Sequence, residues 1–157
     1  MTELVEKINT FLDRASLVLI VIMVLLVWMQ VFMRYLLNFS PFWIEAAARY
    51  MMIWSLLMAS AVLVGSDGHV GVDFVQQLYS PAVGKIISLA LSVAILIFLL
   101  VYTVFGMEAA LDQWTVRDGS IRISMFWPFI IVPISGVLMI LNLLVRMHEI
   151  ITGKEKT

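Results

Sequence analysis

The chain has 157 residues, 62% apolar and 13% charged, with a net charge of −1 and a mean hydropathy of +1.03. A soluble domain is usually about 45–50% apolar and about 25% charged, so this is the composition of an integral membrane protein, and its near-neutral charge gives no reason to expect nucleic acid. Cysteine is absent, which excludes disulfides, thiolate nucleophiles and cysteine metal sites, while His69 and His148 both lie outside the apolar blocks, which argues against a membrane b-type haem.

Residues 1–14 set Leu4, Val5, Ile8, Phe11 and Leu12 on one helical face, with Glu3, Glu6, Lys7, Thr10 and Asp13 on the other. This spacing suits a short helix in the membrane interface, and equally an ordinary cytosolic lead-in to the first span. The first span is expected over 15–37. Its charge-free core from Ala15 to Met33 makes about 28 Å of helix, enough to cross a bilayer and longer than a signal-peptide core. Gln30 and Arg34 follow near its far end, placed to snorkel to the interface.

A tight turn through Asn38-Phe39-Ser40-Pro41 returns the chain. Ser40 is placed to cap a second helix, 41–66, with Pro41 as its first residue. Glu45 and Arg49 stand one turn apart near the start of this span, in the order that favours a helix ion pair. In hydrocarbon each charge alone costs roughly 2.5–3.5 kcal/mol on insertion scales, so each requires a partner or a protein-facing position. Trp43, Tyr50 and Trp54 read as interface anchors or packing residues. Ser55 and Ala59 have the small-xxx-small spacing that lets helices approach closely.

The second connection contains Asp67, His69 and Asp73, whose spacing fits no standard metal-ligand pattern, so no metal or other cofactor is expected. Phe74 to Tyr79 reads as a second short interfacial helix. A third span is expected over 81–110, with Ser88/Ser92 and Ala90/Ala94 again at small-xxx-small spacing. The polar loop that follows carries Asp112, Trp114, Arg117, Asp118, Gly119 and Arg122. A fourth span, 123–146, contains Pro133, which should bend it. The expected fold is therefore an all-α integral membrane protein, one domain over 1–157. It has four transmembrane helices and short interfacial helices at the N-terminus and in the second connection. Lys7, Arg14, Lys85, Arg146, Lys154 and Lys156 on one side outnumber Arg34, Arg49, Arg117 and Arg122 on the other, which places both termini in the cytoplasm.

No Ser/His/Asp or Cys/His set, no phosphate-cradling glycine loop and no mid-membrane carboxylate cluster is present, so no catalytic or substrate-binding residue is expected. Transporters of the inverted-repeat kind bind at the midplane on broken helices, and this chain has no convincing repeat. The remaining readings are an accessory membrane subunit and a stand-alone four-helix exporter or channel working as a homo-oligomer. The second would need polar residues along one helix face. Gln30, Arg34, Glu45 and Arg49 instead cluster near one membrane surface.

Trp43-x-Glu45-x-x-x-Arg49-Tyr50, then Trp54, then Gly68-His69-Val70-x-Val72-Asp73 resemble the signature of the DctQ family, the small membrane subunit of tripartite ATP-independent periplasmic (TRAP) transporters. Pro133-Ile134-Ser135-Gly136 in the last span is similar too, and the resemblance covers essentially the whole chain. The family often has two adjacent glutamates after the tryptophan, whereas position 46 here is alanine. The resemblance implies a bacterial inner-membrane scaffold without an active site. Its partners would be a large multi-span, DctM-like subunit that imports an organic acid with sodium, a periplasmic substrate-binding protein, and membrane lipids. It points to Trp43, Glu45, Arg49, Tyr50, Trp54, His69 and Asp73 as candidates for the contact with the large subunit. Asn38, Arg117, Asp118 and Arg122, on the periplasmic side, are candidates for docking the binding protein.

Overall fold

A computed structural model describes residues 2–39, 41–65 and 81–152, the side chains of 2–4, 81, 82 and 85 excepted. Ser40, His69, Asp73, the expected interfacial helix near 74–79 and the C-terminal tail lie outside the described residues. The described chain is all-helical: α1 Thr2–Leu36, α2 Phe42–Gly65, α3 Pro81–Asp112, the single turn α4 Phe126–Phe129, and α5 Ile131–Thr152. Four segments are long and apolar enough to cross a membrane, the last running through α4 and α5 together.

The amphipathic residues at the N-terminus and the first span form one uninterrupted helix of 35 residues, about 52 Å long against the roughly 30 Å of a hydrocarbon core. Its inward positions are Leu12, Ser16, Leu19, Met23, Leu26 and Gln30, spaced alternately by four and three residues. That period of 3.5 is the coiled-coil one and suits close antiparallel packing along α2. Gln30 thus turns toward α2, while Arg34 is exposed. Asn38 closes the helix in the left-handed region (φ 50°), a conformation its short polar side chain tolerates, and the Phe39 N–H turns back to the Met33 carbonyl. α2 begins at Phe42, one residue after Pro41, whose carbonyl accepts the Ile44 N–H.

Packing follows the order α1–α2–α5–α3. Helix α1 lies along α2, α2 along α5 and α5 along α3, and α3 packs on neither α1 nor α2 among the described residues. This is a row one helix thick, not a closed bundle. Ala61 of α2, Leu99 of α3, and Met139 and Leu143 of α5 form its buried apolar centre. Because lipid is as apolar as leucine, such seams gain mainly from close contact and hydrogen bonds. Small residues supply that contact. A methyl group on Gly106 would come within 2.7 Å of Val132 Cγ1, and one on Gly136 would overlap the Thr103 hydroxyl. Ser88 and Ser92 are buried as the spacing suggests, whereas Ala90 and Ala94 face outward.

The last span is interrupted at Ile130, between α4 and α5. A proline ring clashes with the carbonyl four residues before it, which for Pro133 is that of Phe129, where α4 ends. The start of this segment is also later than the apolar run suggests, because Ser124 and Met125 belong to the preceding hairpin.

A polar clasp joins three helices near the other end of the row. Asn142 is 3% exposed and donates from Nδ2 to Asn9 Oδ1, the Ala61 carbonyl and the Leu138 carbonyl. Asn9 returns a bond of 2.7 Å to Asn142 Oδ1. Gly65 leaves room for this amide, since a Cβ there would sit 2.6 Å from Asn142 Oδ1.

Candidate partner-binding surfaces

Helix α2 carries an outward stripe in which Phe42, Glu45, Arg49, Met52, Leu56 and Leu63 are exposed, with Ala59 and Ser60 half-buried between the last two. Within it Arg49 Nη2 donates to Glu45 Oε1 at 3.0 Å, as their spacing demands. The two side chains are 60% and 62% exposed, turned away from the rest of the chain. Their neighbours Ile44, Ala46 and Ala48 are buried against the other helices. Trp43 is half exposed beside the pair, and Trp54 is half-buried.

Tyr50, the next residue after Arg49, points elsewhere. Its hydroxyl donates to Asp118 Oδ2 at 2.5 Å and lies 3.4 Å from Met125 Sδ. Both partners belong to the connection 113–125, which folds as a short hairpin. Arg117 and Ser124 form an antiparallel bridge, Met125 N–H donates to the Val116 carbonyl, and Asp118 N–H donates to the Ile123 carbonyl. The tip turns because Asp118 Oδ1 accepts the N–H groups of Ser120 and Ile121, and Arg122 adopts a left-handed conformation (φ 59°). The Tyr50 hydroxyl and these two backbone donors hold the Asp118 carboxyl below the usual carboxylate range. Arg117 Nη1 donates across the turn to the Arg122 carbonyl.

The base of the hairpin is aromatic. Trp114 and Phe126 meet edge to face at 4.9 Å, Trp127 packs on Phe126 at 5.8 Å, and Ser124 Oγ donates to the Trp114 carbonyl while receiving the Phe126 N–H. Irregular polar backbone belongs at a headgroup rather than in open hydrocarbon. Tyr50 touches this hairpin about 12 Å along α2 from Phe42, so Glu45 and Arg49 lie at or above that interfacial level. The pair therefore sits at a smaller electrostatic cost than a mid-membrane position would carry.

The structure thus brings together two groups of sequence candidates, Glu45 with Arg49 and Tyr50 with Asp118. It leaves Asn38 in a separate turn. Asn9, Asn142 and Met125 escaped the sequence reading. Asn142 had a signal, since an amide inside an apolar span needs a partner. Among the described residues, no three His, Cys, Asp or Glu side chains gather as a metal site.

These features define a multi-pass, all-helical membrane protein with an exposed ion pair on α2 and exposed arginines on the hairpin. The chain belongs to the family of the DctQ component of tripartite ATP-independent periplasmic transporters, which matches residues 23–153. Membership of that family makes it a subunit of a multi-component transporter. It is similar to the sialic acid TRAP transporter small permease protein SiaQ of Vibrio cholerae, with 24% identity over 129 residues, covering 82% of this chain and 74% of the relative.

Proposed function

We propose that this chain is the scaffold subunit of a sodium-coupled, binding-protein-dependent importer of an organic acid, a C4-dicarboxylate, sialic acid or a similar carboxylate. It sits in the bacterial inner membrane with both termini in the cytoplasm and performs no catalysis itself. The observation that carries this reading is the exposed Glu45–Arg49 pair within an otherwise apolar stripe of α2. Lipid is a poor neighbour for two charges, even at the interface, and a protein surface with matching polar groups is a better one. Among the described residues the helices form a row one layer thick, which suits a part that widens a larger transporter. The large membrane subunit then seats on Trp43, Glu45 and Arg49, and the periplasmic binding protein docks at the hairpin through Arg117 and Arg122. The carboxylate class rests on the family and on the name of the Vibrio cholerae relative.

Reconstitution tests this. Purified alone in proteoliposomes, the chain moves no solute. With the large subunit it co-purifies in one-to-one ratio, and uptake appears only when the large subunit, this chain, the binding protein and a sodium gradient are all present. Sodium-driven uptake or proton-driven efflux by the chain alone would show it to be a small exporter instead.

A further inference from the structure

We infer that Tyr50 and Asp118 are positioning residues that hold the docking hairpin in fixed register on α2, the helix that also carries the seat for the large subunit. This rests on the reading of the hairpin as the docking surface for the periplasmic binding protein. Both oxygens of Asp118 are committed inside the chain, one to the turn and one to Tyr50. Its charge is thus directed inward, and the outer side of the tip is left to the exposed guanidinium groups of Arg117 and Arg122. A single tyrosine contacts the hairpin at two points, the tip through Asp118 and the base through Met125. The remaining hydrogen bonds of residues 116–125 run within the connection or to the adjoining turn α4, through Phe126, Trp127 and Phe129, so they set the hairpin's shape and its junction with α4 rather than its register on α2. Beyond Tyr50, its junctions with α3 and α4, including the Trp114–Phe126 ring contact, hold it in place.

The tip presents a cationic surface, so it suits an acidic face on the docking protein, with an electrostatically steered encounter. Steering brings the partners together, but productive docking requires the two arginines at a set distance and angle from the membrane subunit seated on the neighbouring stripe. Arg49 belongs to that stripe, adjacent in sequence to Tyr50 and paired with Glu45. One turn of α2 therefore serves both contacts.

The experiment uses the reconstituted three-component transporter and the variants Tyr50→Phe, Asp118→Ala and Asp118→Asn. A nitroxide attached to a cysteine at Gly119, where no neighbour crowds the backbone, reports hairpin motion. Tyr50→Phe keeps the ring and removes only the hydroxyl. It should increase label mobility and raise the binding-protein concentration for half-maximal uptake roughly threefold to tenfold, the range expected for one lost hydrogen bond. The maximal uptake rate and co-purification with the large subunit should stay at wild-type level. Asp118→Ala should do the same or more. Asp118→Asn should stay near wild type, because its Oδ1 still accepts the Ser120 and Ile121 N–H groups and its amide meets the tyrosine oxygen. Unchanged label mobility, or a mobile label with unchanged half-saturation, overturns the inference. So does loss of assembly in Tyr50→Phe. Failure of the docking reading looks different: Arg117→Ala and Arg122→Ala would then leave half-saturation untouched at every ionic strength.

Discussion

At position 136 the absence of a side chain is what lets α3 and α5 meet, because the Thr103 hydroxyl fills the space a methyl would take. Gly136→Ala should destabilise the chain by about 1–3 kcal/mol, the usual cost of overpacking, read as a lower melting temperature in detergent. Thr103→Ala in the same chain should recover part of the loss, since the worst overlap is with the hydroxyl and the Tyr102 ring and Thr103 Cβ remain at 3.2 Å. The Glu45–Arg49 pair poses a different question, because both side chains face outward. Glu45→Gln with Arg49→Gln removes both charges at once, so a purely local pair would lose little. With the large subunit seated on this stripe, the double variant should still co-purify poorly with it. Arg49→Lys should keep only part of the contact, because lysine lacks the planar fork of arginine. Full assembly of the double variant would mean that the pair serves only its own helix.

Among the elements, the hairpin at 113–125 has the simplest acid response. The Asp118 pKa is lowered in the folded chain, so its contribution is fully present above the unfolded carboxylate value and is lost as pH falls through the folded one. Fluorescence of Trp114, at the hairpin base, should therefore stay constant from neutral pH down to about 5 and change only in stronger acid, below the ordinary aspartate range. A change near neutrality would point to another titrating group. The sequence disclosed the spans readily, since long charge-free runs have few alternatives. It also disclosed the Glu45–Arg49 pair, since residues four apart on a helix face one another. It did not disclose the Tyr50–Asp118 bond. Those residues are 68 apart, and only the return of α3 and the fold of the hairpin bring them together. The continuity of residues 2–14 with the first span was equally hidden, because an amphipathic run reads alike whether or not the helix breaks after it. The interruption before α5 was expected from Pro133, but its position follows from the reach of the ring to the Phe129 carbonyl.

For the whole molecule, topology is the first check on the proposed assembly. Single cysteines at Asn38 and Gly119 should react with an impermeant thiol reagent added outside intact cells, and one at Gly153 should not. The reverse pattern would place the hairpin in the cytoplasm, out of reach of any periplasmic protein. The row α1–α2–α5–α3 has a further consequence through two polar bridges among the described residues. The amides of Asn9 and Asn142 tie α1, α5 and the Ala61 level of α2, and Tyr50 ties α2 to the hairpin that leads into α4 and α5. Tyr50 and Ala61 are about 16 Å apart along the helix axis. A single seam of apolar contacts lets one helix roll on another at small cost, because each contact is replaced by a similar one. Two directional bonds at separate heights oppose that roll, since each weakens as its donor and acceptor turn out of line. The seam of α2 on α5 is thus held at two heights, so it should resist rolling more than apolar contact alone would.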